Sequence, residues 1–315
     1  MPKLAFVFPG QGSQEVGMGK DLIKNYKEAN ELFNEANIAL KDEGFDLKTL
    51  CMEGPEEELT KTINAQPVML TMSIILYKLL QKNNINPDIV AGHSLGEYSA
   101  LVAASSIEFK DAVKLVRKRG QYMQTATPFG IGSMAAIISL KKDKIEELIN
   151  KVSKFGTIEI ANYNSPYQIV VSGKSEAIEK LLILGEKEEE MNIVPLKVSA
   201  PFHSSLMRKA KENLACYIEN INIQDPQISV ICNLTADYVK TKEEIKNALI
   251  EQVTHPIKWV EIIKRINSEG IDYFVEVGPG NVLKKLIKQI LPKAKVYNVC
   301  DSESLEKVII KFKNM

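Results

Sequence analysis

The segment Gly92-His93-Ser94-Leu95-Gly96 sets a hydroxyl nucleophile between two glycines, with apolar Ile89-Val90-Ala91 before it and an Ala-rich stretch after it. Between a strand and a helix, that G-x-S-x-G spacing makes a sharp turn that lifts the serine hydroxyl above a sheet. Side chains at either glycine would collide with the strand and helix as they converge. The N–H groups and positive dipole end of the following helix aim at the same point, where the backbone N–H of Leu95 would stabilise an acyl oxyanion. In isolation a Gly-rich surface turn explains the pattern equally well; the strand before it and the helix after it favour acyl chemistry. Such a serine needs a base, and the chain holds three histidines, His93, His203 and His255. His93 adjoins the serine with its side chain directed away, so it reads as a packed or rim residue. His255 precedes Pro256 in a polar loop and reads as surface. His203, within Ser199-Ala200-Pro201-Phe202-His203-Ser204-Ser205, joins a strand to a helix and is the favoured base. It would take the Ser94 proton and return it to the leaving group. No acid has a compelling place in a triad, since Asp143, Glu159 and Glu176 fall in an inserted unit or on its solvated faces. A dyad with the imidazole held by a carbonyl oxygen is expected. It does not decide between water and a thiol as acceptor.

These residues need a scaffold, and the hydrophobic pattern predicts one. Leu4–Pro9 reads as a buried strand leading into the tight loop Gly10-Gln11-Gly12-Ser13-Gln14, and Lys20–Glu43 as amphipathic helix. Gln66–Gln81, apolar almost all round with Pro67 in its first turn, reads as a buried central helix. Asp88–Ala91 is a strand, and Glu97–Ser105 and Asp111–Ala126 are helices. Strands at Ser133–Ser139, Ile158–Tyr163, Gln168–Ser172 and Ile193–Val198, with helices at Lys142–Val152 and Ser175–Glu190, give the β-α-β-β-α-β order of a ferredoxin-like unit. The Lys/Glu-rich stretch Gly185–Glu190 reads as its solvated helix end. Beyond it come a helix, a strand at Ile228–Asn233, helices at Glu243–Val253 and Val260–Ser268, and a strand at Tyr273–Val277. The fold class is therefore α/β: a large α/β-hydrolase-like domain with a parallel sheet core, residues 1–128 and 199–315, interrupted by a ferredoxin-like α+β subdomain, residues 129–198.

The 315 residues suffice for that arrangement, and 45% hydrophobic with 25% charged residues describes a globular chain. Lys+Arg and Asp+Glu balance at 40 each, which gives no electrostatic case for nucleic acid or membrane partners. Cys51, Cys216, Cys232 and Cys300 are scattered without a C-x-x-C pair, so no metal cluster or redox dithiol is expected. No signal-like n-region and h-region opens the chain, and no apolar stretch reads as long enough for a bilayer span; cytoplasm is the expected compartment.

Five motifs in order, Phe8-Pro9-Gly10-Gln11-Gly12-Ser13-Gln14, Gly92-His93-Ser94-Leu95-Gly96-Glu97-Tyr98-Ser99-Ala100-Leu101, Arg119-Gly120, Ala200-Pro201-Phe202-His203-Ser204 and Glu276-Val277-Gly278-Pro279-Gly280, resemble the signature of malonyl-CoA:acyl carrier protein transacylases. The resemblance covers essentially the whole chain. It implies Ser94 as the acyl-bearing nucleophile, His203 as base, and Gln11 and Leu95 as backbone oxyanion donors. It also implies that Arg119 pairs with the free carboxylate of a malonyl group, a role suited to a planar guanidinium. Read by itself, Arg119 would be a helix-surface residue like Arg117 and Lys118. Gln252 matches a position whose main-chain oxygen orients the histidine. Gln66 and Asn162 match polar positions near the site, although a buried helix start and a strand end explain them equally. Phe202 resembles the bulky residue that excludes α-branched acyl groups. Gly278-Pro279-Gly280 reads as a turn without chemistry.

The implied reaction moves malonyl from malonyl-CoA to the phosphopantetheine thiol of acyl carrier protein, for fatty acid biosynthesis. It uses no metal and no bound cofactor, and the enzyme is expected as a monomer. Carrier proteins of this kind are acidic, so a local Lys/Arg patch is expected at the site's mouth. The alternatives are a stand-alone acyltransferase or acyl hydrolase of a polyketide assembly line, a non-catalytic carrier-binding relative and a generic esterase. Retention of Ser94, His203 and Arg119 argues against the non-catalytic one.

Overall fold

Two adjacent parallel strands, β1 (Leu4–Phe8) and β2 (Ile89–Gly92), form the centre of the larger sheet, and every residue in both is buried. That explains their unbroken apolar runs: a strand covered on both faces has no polar side to alternate with. The computed structural model describes residues 2–139, 142–186, 188, 191–198 and 200–315. The remaining strands are β3 (Gly132–Ser139), β4 (Ile158–Ser165), β5 (Gln168–Lys174), β6 (Met191–Pro195), β7 (Ser229–Ile231), β8 (Tyr238–Val239), β9 (Tyr273–Val277) and β10 (Lys295–Val299). The larger sheet runs β10-β9-β1-β2-β7-β8, parallel throughout except for β8, which pairs antiparallel with β7. The smaller sheet runs β4-β5-β3-β6 and is wholly antiparallel. The architecture is thus mixed α/β with a parallel-rich sheet and a separate antiparallel one.

Registers place the loops that matter. Phe8 lies opposite Gly92, and the His93 N–H donates to Phe8 O at 2.9 Å. The loops after β1 and β2 therefore leave side by side, into the crevice outside the carboxyl ends of the parallel strands. Strand β3 divides its faces with period two. Ala135 and Ile137 join a core with helices Lys142–Val152 and Ser175–Gly185, while Met134 and Ala136 face the larger layer and line its cavity. Two backbone bonds, Tyr163 N–H to Ile257 O and Ile257 N–H to Ala161 O, each 2.9 Å, join the edge of the small sheet to the larger layer.

Several sequence expectations shift. The central helix is Thr62–Lys82, 21 residues that by length and composition could cross a membrane, contrary to the reading that no apolar stretch is long enough. It is nonetheless core: 89% of its most apolar window is buried inside the fold. The helix expected over 175–190 ends at Gly185, whose bare Cα accommodates Ile193 Cδ1, which would stand 2.2 Å from an added Cβ. Glu189, Glu190 and the boundary residue Ser199 lie outside the described residues. Strand β6 starts and stops earlier than expected: its ladder with β3 ends at Ala135 opposite Pro195, while β3 continues to Gly132 beside β5. Leu196 and Val198 are thereby released to line the cavity. Not read from the sequence were β8, β10 and the helices Leu47–Glu53, Val282–Ile290 and Ser302–Lys313. Helix Val282–Ile290 is fixed by buried Glu276, whose carboxylate accepts the N–H groups of Leu283 (3.0 Å) and Lys284 (2.8 Å) in its first turn. Cys51, Cys216, Cys232 and Cys300 are unpaired, and burial pushes the Cys51 thiol up to about 12.

Ile75 in the central helix is fully buried in the main core. Ile75→Ala should lower the free energy of unfolding by about 2–5 kcal/mol, read from urea denaturation; a change below about 1 kcal/mol would contradict the burial of this helix.

Candidate active site

Ser94 sits where β2 stops and helix Gly96–Ala103 begins, with a positive φ of 52°. Such a conformation costs an L-residue about 1–2 kcal/mol, so surrounding contacts must impose it. The flanking glycines show how. A Cβ on Gly92 would stand 1.9 Å from the Gly96 carbonyl carbon, and one on Gly96 would stand 2.0 Å from Phe8 O. Only bare backbone permits that approach, and the turn thrusts the Ser94 hydroxyl toward the neighbouring layer.

His203 arrives on the loop before helix Arg208–Ile218, also at a positive φ, 57°. Its Nε2 lies 2.8 Å from Ser94 Oγ, and its Nδ1 lies 2.8 Å from the carbonyl oxygen of Gln252. A carbonyl can only accept, so Nδ1 carries the proton and Nε2 presents its lone pair to the hydroxyl. Burial, reinforced by the positive Arg119, lowers the His203 pKa to about 3. The imidazole is therefore neutral at ordinary pH, with its Nε2 lone pair open to the hydroxyl.

Arg119 projects from helix Phe109–Thr125 into this centre and is 1% exposed, so the surface reading suggested by its neighbours is wrong. The helix is buried there on more than one side: Arg117 is also buried, bonded to Glu43 and stacked on Phe45. The Arg119 guanidinium donates to Gln66 Oε1 (2.8 Å), Gln252 Oε1 (2.8 Å) and Ser94 Oγ (3.1 Å). All three acceptors are neutral, and its Nε–H has no partner among the described residues.

The other expected residues converge in part. Gln11, Phe202, Asn162, His93, Ser94, Arg119 and His203 all line one cavity of about 310 Å³, together with apolar Met123, Met134, Val170, Leu196, Val198 and Leu286. Leu95 heads helix Gly96–Ala103, and the next three N–H groups bond back to the carbonyls of His93, Ser94 and Leu95. Asn162 does not reach the Ser94 hydroxyl; its Nδ2 lies 3.3 Å from His93 Nε2. His93, directed away from the Ser94–His203 pair, meets Asn164 Oδ1 at 2.9 Å and packs edge-on against Trp259. His255 is at the surface beside Glu251. Gln252 contributes more than a main-chain oxygen, since its side chain also bridges Arg119 and Glu97.

Two residues went unread in the sequence. Glu97, one position past the elbow's second glycine, is buried, and its Oε2 accepts from Gln252 Nε2 (2.6 Å) and from the Asn233 N–H (3.1 Å). Burial raises its pKa to about 7, against the pull of those hydrogen bonds and of Arg119. Its only sequence signal was a lone charge in the otherwise uncharged segment GEYSALVA. Asn233, fully buried just beyond β7, accepts the Ser94 N–H on Oδ1 (2.7 Å) and donates from Nδ2 to Gly92 O (2.6 Å); nothing in the sequence marks it. Among the described residues no cluster of His, Cys, Asp and Glu could hold a metal ion.

Residues 5–306 match the acyl transferase domain. The chain is 44% identical over 310 residues to the malonyl CoA-acyl carrier protein transacylase of Bacillus subtilis, covering 98% of this chain and 97% of that protein. It superposes on the malonyl CoA-acyl carrier protein transacylase of Coxiella burnetii with a TM-score of 0.94 at 39% identity, covering 98% of each chain. A malonyl-transacylase solved in complex with its type II PKS acyl-carrier protein also matches, with a TM-score of 0.94 at 38% identity over 98% of this chain and 99% of that one. The chain belongs to the acyl transferase domain family and, within it, to the malonyl CoA-acyl carrier protein transacylases.

Proposed function

We propose that the chain carries malonyl from malonyl-CoA to the phosphopantetheine thiol of an acyl carrier protein, through a malonyl ester on Ser94, in fatty acid biosynthesis. The observation that carries this reading is the buried Arg119 guanidinium, 3.1 Å from Ser94 Oγ and held only by neutral acceptors. A buried cation without an anionic partner is costly, and a diacid's free carboxylate relieves that cost, whereas an acetyl group leaves it standing.

In the first half-reaction Ser94 Oγ attacks the thioester carbonyl as its proton passes to His203 Nε2. The resulting oxyanion lies against the backbone N–H groups of Leu95 and Gln11. Collapse breaks the C–S bond, and His203 returns the proton to the departing CoA thiolate. The carrier thiol then repeats the sequence in reverse: it loses its proton to His203, attacks the Ser94 ester, and the serine recovers the proton. Each proton taken is returned, and no electrons are exchanged with an outside donor. Similarity to the malonyl-transacylase bound to a type II PKS carrier protein favours a second reading, in which the accepting carrier protein serves polyketide assembly instead.

The carrier protein must reach the cavity mouth. There, helix Val282–Ile290 sets cavity-lining Val282, Leu283 and Leu286 beside Lys284 and Lys285. Those lysines supply the positive patch that an acidic carrier needs.

Four outcomes check this reading. Ser94→Ala should show no malonyl adduct by intact-protein mass spectrometry. Arg119→Ala should lose about a thousandfold in kcat/KM with malonyl-CoA, roughly 4 kcal/mol, while acetyl transfer holds or rises; an equal loss with both donors would overturn the carboxylate role. The pH dependence of stability tests His203. Its folded-state pKa lies below the ordinary 6.5, so the stability it contributes is complete above pH 6.5 and is lost as pH falls toward 3. Melting temperatures from pH 7 to 4 should therefore move in favour of His203→Gln relative to wild type as pH drops; a constant difference would mean an unperturbed imidazole. Finally, the double variant Lys284→Glu, Lys285→Glu should slow carrier-protein turnover most at low salt while leaving malonyl-serine formation unchanged.

A further inference from the structure

Glu97 is an expensive choice for its place. It is a carboxylate, 1% exposed, in a helix whose other residues are uncharged, and it touches neither Ser94 Oγ nor His203. A buried charge is poor evidence of added stability, so its use has to be sought in what it holds. It holds two amide residues, one by its side chain and one by its backbone. One is Gln252, whose Nε2 donates to Glu97 Oε2 (2.6 Å) and to Ser94 O (3.2 Å), whose Oε1 accepts from Arg119 (2.8 Å), and whose backbone oxygen accepts from His203 (2.8 Å). The other is Asn233, whose backbone N–H donates to the same carboxylate oxygen at 3.1 Å. Its side chain bridges Gly92 O and the Ser94 N–H, the two backbone groups on either side of His93.

An amide can present its oxygen or its nitrogen to a given neighbour, and only those neighbours decide which. Around Gln252 they favour one choice: the guanidinium only donates, and Glu97 Oε2 serves as acceptor to both Gln252 Nε2 and the Asn233 N–H. Turning the amide over would set N–H against N–H and oxygen against oxygen. Asn233 is pinned in the same manner between a carbonyl and an N–H. Its hold ends on the N–H of the one elbow residue with a left-handed backbone, Ser94 at φ 52°. It also occupies the Ser94 N–H, which leaves the oxyanion to the Leu95 N–H on this loop.

We propose that Glu97 and Asn233 are positioning residues for acyl transfer at Ser94: Glu97 fixes the orientation of Gln252 and anchors Asn233, and the two amides hold the elbow backbone, the His203 imidazole and the Arg119 guanidinium in register. This rests on the reading of Ser94 as the acylated residue and Arg119 as the carboxylate partner. The two residues carry separable duties. Asn233 holds the nucleophile, so its loss slows every reaction of Ser94 alike. Glu97 holds the Gln252–Arg119 contact, so its loss falls on diacids in particular.

The test measures two rates on wild type, Asn233→Ala and Glu97→Gln, with folding checked by circular dichroism and melting. One is pre-steady-state acylation by malonyl-CoA and by acetyl-CoA; the other is labelling of Ser94 by a fluorophosphonate, which needs no acyl recognition. Asn233→Ala should lose about a hundredfold in labelling and in both acylations, with the malonyl-to-acetyl ratio unchanged. Glu97→Gln keeps the shape of the side chain but lets it donate as well as accept. Labelling should then fall less than malonyl acylation does, while the malonyl-to-acetyl ratio falls about tenfold or more. Folded variants with wild-type rates and ratio, or losses that merely follow the unfolded fraction, would overturn the proposal. Should Asn233→Ala fail to fold, the Glu97→Gln ratio decides alone. If wild type itself forms no malonyl-serine, the functional reading fails, and slower fluorophosphonate labelling of Asn233→Ala still distinguishes the hold on the elbow from that failure.

Discussion

The close approach of three backbone segments at the elbow underlies the rest of the structure. Gly92 and Gly96 let the end of β2, the start of helix Gly96–Ala103 and the carbonyl of Phe8 pack at distances that no Cβ could share. That contact fixes the direction of the Ser94 hydroxyl. It also brings the Gly10–Gly12 loop alongside, because β1 and β2 are paired as far as Phe8 and Gly92. Ser94 and His203, the two residues closest to the chemistry, both have left-handed backbones, which the surrounding hydrogen bonds hold against their intrinsic preference.

Around the elbow the site solves an electrostatic problem. A guanidinium, a carboxylate and an imidazole are all buried within one set of hydrogen bonds. Bonding Arg119 directly to Glu97 would close the guanidinium to any other anion. Interposing the neutral amide of Gln252 keeps the two charges near enough to moderate each other, yet leaves the cation available. Burial, reinforced by the same cation, keeps the His203 imidazole neutral, so its Nε2 lone pair stays free toward the Ser94 hydroxyl.

The antiparallel sheet supplies the apolar side of the cavity. Met134, Ala136 and Val170 reach it because alternate residues of β3 and β5 face opposite ways, and Leu196 and Val198 reach it because β6 ends early. Helix Val282–Ile290, fixed at its start by buried Glu276, forms part of the mouth. The cavity is thus a joint product of both layers, apolar along its walls and cationic at its floor.

What the sequence determined by itself was local. The strands read over Leu4–Pro9 and Asp88–Ala91 are found at Leu4–Phe8 and Ile89–Gly92, and the two glycines around Ser94 admitted one kind of turn. The β-α-β-β-α-β rhythm over residues 133–198 was equally plain, because each element there is amphipathic with its own period. His203 was singled out as the candidate base from only three histidines. The C-terminal helices and β10 escaped notice, since a short strand such as KVYNV carries little pattern of its own. Only the tertiary structure decided that Arg119 faces inward while lying in a run of basic residues, that Gln252 joins Glu97, Ser94, Arg119 and His203, and that Glu97 and Asn233 belong to the site at all. Those facts depend on partners 25 to 158 residues apart in the chain, and a hydrogen bond across such a distance leaves no periodicity in the sequence to read.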